Sequence, residues 1–170
     1  MNEEQSALIE KAGNLAKEYE KTCTGCAQAM VAGLLETLNL FDEGVFKSAS
    51  GLADGIGLSG DGSCGALIGG SLVIGLLYGR GKKDHKDMMK PLKSYLLSNE
   101  LYNYFCDRYG SSRCHDIQKS MMGRVYDMFD PNGLRDATND GLLEKCSDIV
   151  LNTARKTAEL ILQEGLPETI

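Results

Sequence analysis

The residues of this chain best equipped for chemistry are its six cysteines, Cys23, Cys26, Cys64, Cys106, Cys114 and Cys146. Cys64 stands out. It follows Gly60-Asp61-Gly62-Ser63 and opens the run Gly65-Ala66-Leu67-Ile68-Gly69-Gly70. A thiol at a helix start feels the positive end of the helix dipole. That favours thiolate, the form that attacks disulfides and binds metals. Cys26, Cys114 and Cys146 share the setting. Each falls near a predicted helix start, behind Thr24-Gly25, Ser111-Ser112 and Asn139-Asp140-Gly141. Four thiols gathered at helix ends could bind an iron–sulfur cluster, or alternatively one zinc ion. Amides at the helix starts would offset the negative charge. The same four residues could equally be small buried hydrophobes, a common use of free cysteine.

A metal-free chemistry is also open. Cys64 would be the redox nucleophile and Cys26 or another cysteine its resolving partner. Cys23-Thr24-Gly25-Cys26 is a C-x-x-C, able to act as a dithiol or to donate two metal ligands. No βαβ pattern precedes it, which argues against a thioredoxin-like fold. Gly55-Ile56-Gly57-Leu58-Ser59-Gly60 has the letters of a dinucleotide fingerprint, but a helical pattern stands where the strand should be. These glycines are better explained as a loop that lets backbone approach Cys64. Gly62 and Gly65 flank that thiol and are the positions expected to lie against a bound cofactor. His115 follows Cys114, where it could tune the thiol or stand as a partly exposed helix residue. His85 lies in a charged stretch and is expected to be solvated. Cys106, within Tyr102-Asn103-Tyr104-Phe105-Cys106, reads as a core thiol. The pairs Met88-Met89 and Met121-Met122 suit core gaps better than a metal. No Ser-His-Asp set or paired carboxylates assign an enzymatic reaction.

The elements that must position these residues are helical almost throughout. Leu8, Ala12, Leu15, Ala16 and Tyr19 recur at helical spacing. A second helix is expected from near Thr24 to Asn39 and a short third from Val45 to Ala53. Asp54 to Ser63 is the Gly-rich break before a buried helix over Cys64 to Tyr78. A fifth helix is expected over Asp87 to Tyr109 with a bend at Pro91. A short helix capped by Ser112 holds Cys114 and Ile117, and Phe129 to Asp140 reads as loop around Asp130-Pro131-Asn132-Gly133. The last helix runs from Leu142 to Glu164, ended by Gly165 and Pro167. No alternating strand is found. The expected architecture is an all-α, single-domain bundle of five to seven helices over residues 1–170, with a four-cysteine module at about 23–164.

Composition bounds the rest. The 170 residues suffice for a hydrophobic core without disulfide staples. A net charge of −6 with scattered Lys and Arg argues against nucleic acid as a partner. The longest apolar run, Ala66 to Tyr78, is too short to span a bilayer. Met1-Asn2-Glu3-Glu4-Gln5 lacks the character of a signal peptide, so a cytoplasmic location is expected. In that reducing compartment, cysteines are metal ligands or redox thiols more often than structural disulfides.

Taken in order, the cysteines resemble the family named for its C-GCAxxG-C-C pattern. Cys26-Ala27-Gln28-Ala29-Met30 corresponds to its first cysteine segment and Cys64-Gly65-Ala66-Leu67-Ile68-Gly69 to its CGAxxG element. The third cysteine follows an aromatic–Gly turn, here Tyr109-Gly110-Ser111-Ser112-Arg113-Cys114. The fourth opens the last helix at Cys146-Ser147-Asp148-Ile149-Val150. The resemblance covers most of the chain and implies redox activity through the four shared cysteines. It also implies an oxidoreductase or other electron-transfer partner, since members tend to be encoded near oxidoreductases or transporters. A related segment in split-Soret cytochromes is associated with an iron–sulfur centre, although this chain has no C-x-x-C-H haem site. Cys23 and Cys106 fall outside the pattern. A glycine-rich helix face is compatible with packing inside a monomer or across a homodimer.

Overall fold

Helices account for the ordered architecture of the computed structural model, which describes residues 2–23 and 25–167. Among the described residues, eight α-helices follow one another: α1 Glu3–Cys23, α2 Cys26–Thr37, α3 Glu43–Ser48, α4 Gly65–Tyr78, α5 Leu92–Tyr109, α6 Cys114–Met122, α7 Pro131–Asn139 and α8 Leu142–Glu164. Single 3-10 turns lie at Ser50–Leu52 and Lys82–Asp84. Among the described residues there is no strand, only an isolated antiparallel bridge between Ser63 and Arg113.

The all-helical expectation holds, and the count of five to seven is corrected to eight. The added helix is α7, in the segment expected to be loop. Its start uses the letters of a turn differently. Asp130 accepts hydrogen bonds from the Asn132 and Gly133 amides, and Pro131 supplies a preset φ where no N–H is needed. α5 begins after Pro91 rather than bending at it, because proline lacks the donor an interior position requires. Ser112 does not cap α6, whose N-cap is Arg113 without a side-chain cap bond. The expected third helix is split into α3 and the first 3-10 turn, with Asp42 accepting from the Val45 amide at 2.8 Å.

α1 packs along α2 and α8, while α4 is enclosed by α2, α5 and α8. The apolar sequence of α4 fits that position, with Ala66, Leu67, Val73, Ile74 and Leu77 buried. Close approach of α2 depends on Gly69: a Cβ there would stand 2.6 Å from Met30 Cβ and 2.7 Å from the Ala27 carbonyl oxygen. A smaller core of Tyr126, Ala137 and Leu142 joins α7 to the start of α8. No helix among the described residues is long and apolar enough to cross a membrane.

Candidate functional site

The segment from Asp54 to Ser63 sets up the site by folding back on itself. Its φ values are positive at Asp54, Gly55, Ile56, Gly57, Leu58 and Gly60. Three of these are not glycine, and holding them in the left-handed region costs about 1–3 kcal/mol each, so the surroundings must enforce it. Gly60 N–H donates to the Asp54 carbonyl at 2.9 Å and Gly62 N–H to the Gly55 carbonyl at 2.9 Å. The loop then clips onto the start of α6. Cys64 N–H donates to the Ser112 carbonyl at 2.8 Å and Cys114 N–H to the Gly62 carbonyl at 3.0 Å. Cys64 and Cys114, far apart in sequence, are thereby held on neighbouring backbone.

Cys26 is the first residue of α2, Cys64 the N-cap of α4, Cys114 the first residue of α6, and Cys146 lies near the start of α8. All four line one cavity of about 670 Å³. Glu20 of α1 and Asp54 of the loop line it too, with apolar residues such as Leu58, Met128 and Leu142. Gly65 lets Cys26 in: a Cβ at that position would lie 2.2 Å from the Cys26 sulfur. All four cysteines are free thiols. Among the described residues, no three His, Cys, Asp or Glu side chains are close enough to hold a single metal ion.

Cys23 is exposed at the end of α1 and Cys106 lies on α5, and neither lines the cavity. Thr24, expected to help start α2, lies outside the described residues. His115 is tied to the loop: its N–H donates to the Gly60 carbonyl at 2.8 Å and its Nδ1 is 3.7 Å from Asp61 Oδ1. Its ring fills the space beside Gly60 and does not line the cavity. His85 is solvated, as expected. The 55–60 glycines follow a 3-10 turn, not a strand, so the dinucleotide reading has no structural support.

Electrostatics corrects one expectation. The Ala66 and Leu67 amides do favour a Cys64 thiolate, but burial outweighs them and pushes its pKa to about 11. Burial likewise raises Cys26, helped by the neighbouring Cys64 and Glu20, while the Asp54 amide opposes it. Cys114 is raised by burial and then by Asp54, whose Oδ1 accepts from Cys114 Sγ at 2.9 Å and from Gln118 Nε2 at 2.9 Å. Cys146 is raised by burial and by the charges of Cys64, Glu20 and Asp54. Burial, then Asp54, lifts Glu20 to about 7. The one lysine at the cavity, Lys21, is occupied by Glu144 at 2.6 Å. The metal-free site therefore gathers acids and lacks a free cation among its described lining residues.

Glu20, Asp54 and Gln118 carry no signal in a search for cysteine spacing. Glu20 had one elsewhere: it extends the buried stripe Ile9, Ala12, Gly13 and Ala16 of α1 by one turn, placing a charge where an apolar residue belongs.

No curated protein and no solved structure matches the chain. One family model does, over residues 24–160, and its description is "Putative redox-active protein (C_GCAxxG_C_C)". The match takes in all four cavity cysteines and ends short of Glu20. With most of its length and its whole gathered thiol set inside that match, the chain belongs to the C_GCAxxG_C_C family.

Proposed function

We propose that Cys26, Cys64, Cys114 and Cys146 hold an iron–sulfur cluster in the cavity and that the protein transfers electrons through it to an oxidoreductase partner. The observation that carries this reading is four free thiols, from at or near the starts of four separate helices, lining one cavity. Iron–sulfur clusters are usually held by four cysteine thiolates, one at each corner of the site. Four thiolates can hold either an iron–sulfur group or one zinc ion, and the family's redox description favours the former, since zinc has no redox chemistry. When bound, such a cluster supplies one-electron oxidation and reduction at a potential set by its surroundings.

The chain's own contributions follow from the geometry. The amides of Ala66 and Leu67 favour thiolate at Cys64, and the amide of Asp54 favours it at Cys26. Gly65 allows the Cys26 sulfur to lie against α4. Gly62 acts through its carbonyl, which fixes Cys114. Apolar side chains such as Leu58, Met128 and Leu142 line the cavity beside the thiols, and burial there strengthens charge interactions. Metal-free disulfide exchange by Cys64 and Cys26 has less support. Burial holds both thiols in the unreactive form.

Anaerobic purification and reconstitution with iron and sulfide test the reading. The expected result is bound iron, acid-labile sulfide and visible absorption that bleaches on reduction. Serine at any one of the four cysteines should lower iron content sharply, and Cys106→Ser should leave it unchanged. A colourless, iron-free protein after reconstitution overturns the proposal.

A further inference from the structure

Glu20 is a charged group of this cavity that the four-cysteine reading does not use. It projects from α1, is only 5% exposed, and its Oε2 has no hydrogen-bond partner among the described residues. It lines the same cavity as Cys26, Cys64, Cys114 and Cys146. The lysines that could have neutralised it go elsewhere. Lys17 reaches Asp148 at 2.5 Å and Glu144 at 3.4 Å, and Lys21 reaches Glu144 at 2.6 Å. The other cavity carboxylates are already engaged, Asp54 by Cys114 and Gln118 and Glu144 by Lys17 and Lys21. A buried carboxylate oxygen left without a donor is costly unless a cation comes to it.

We propose that Glu20 is a fifth donor of the site, supplying a carboxylate oxygen to a metal of the group held by the four cysteines. This rests on the four-cysteine reading and adds a hard oxygen donor to its sulfur set. Carboxylate oxygen suits harder, more oxidised iron than thiolate does, so this arm would make one metal position unlike the rest. Glu20 lies outside the family match at 24–160, so the family pattern does not supply it.

The test compares wild-type protein with Glu20→Gln and Glu20→Asp after anaerobic reconstitution with iron-57 and sulfide. Glutamine keeps the size and removes the anionic donor. Aspartate keeps the charge and withdraws it by one methylene. In Mössbauer spectra the wild type should show one iron subsite distinct from the others, and Glu20→Gln should lose it. Glu20→Gln should also release iron to a chelator at least tenfold faster, with Glu20→Asp intermediate and its distinct subsite altered. Iron-loaded Glu20→Gln with the wild-type spectrum overturns the proposal, whether or not its iron release is faster. Wild-type values in Glu20→Asp overturn it as well, since charge alone would then suffice. If Glu20→Gln does not fold, the Glu20→Asp spectrum decides. A wild type that binds no iron overturns the four-cysteine reading itself, and this proposal with it.

Discussion

At Gly65 a single missing methyl group decides how near Cys26 comes to α4. Gly65→Ala would place a Cβ 2.2 Å from the Cys26 sulfur, so the thiol must move. We expect a loss of about 1–3 kcal/mol in denaturant unfolding, together with reduced iron content after reconstitution. Gly75→Ala on the same helix is the control. Nothing lies within 4 Å of its Cβ position, so helix propensity should stabilise the protein by up to about 1 kcal/mol. Glu20 gives a second residue-scale prediction. Its folded pKa, about 7, lies above the ordinary 4.5. As pH rises through that window the unfolded chain gives up this proton first, so metal-free stability falls. The loss is on the order of 3 kcal/mol and is complete just above pH 7. Glu20→Gln should remove this slope and be the more stable metal-free protein at pH 8, measured by urea unfolding at a series of pH values.

Single helices matter here chiefly through their ends. Three of the four cysteines open a helix or cap one, and the loop-to-α6 bridge sets two of them side by side. α7 works differently: it lends Leu134, Ala137 and Thr138 to the cavity wall and is anchored by a small core. Asp130→Ala removes the cap that accepts from two α7 amides and should cost about 1 kcal/mol. Because α7 meets the remainder of the protein mainly through α8, that cost should appear locally. Faster amide exchange in α7 and faster alkylation of Cys146, with little change in global unfolding, is the expected outcome. The helical pattern of most elements was legible from apolar spacing alone, and α8 has the limits read from the sequence. α7 was hidden because Asp-Pro-Asn-Gly serves a turn and a capped helix start equally well.

For the molecule as a whole, desolvation of the four cavity thiols makes loading a protonic event. Each thiol is held above its ordinary pKa, so it is protonated at neutral pH in the metal-free protein. Ligation requires thiolate, so every cysteine that binds releases a proton. Apparent iron affinity should therefore rise with pH between about 6 and 8, and loading in weak buffer should acidify the solution. Thiol mapping offers a parallel check. In the native metal-free protein, exposed Cys23 should react first with an alkylating agent, and buried Cys64 and Cys114 only on unfolding.

The sequence by itself determined the helical class, the order of the cysteines and their place at helix starts, because those depend on residues a few positions apart. It also marked the glycines around Cys64 as points of close approach. Only the tertiary structure decided that Cys26, Cys64, Cys114 and Cys146 share one cavity, with Cys23 and Cys106 outside it. It reversed the inference drawn from the helix dipole at Cys64 as well. The dipole acts within one turn and can be read locally. Desolvation comes from whatever distant segments pack over the sulfur, and here it is the larger effect. The same packing buried Glu20 beside the thiols, which no local pattern around a cysteine could have indicated.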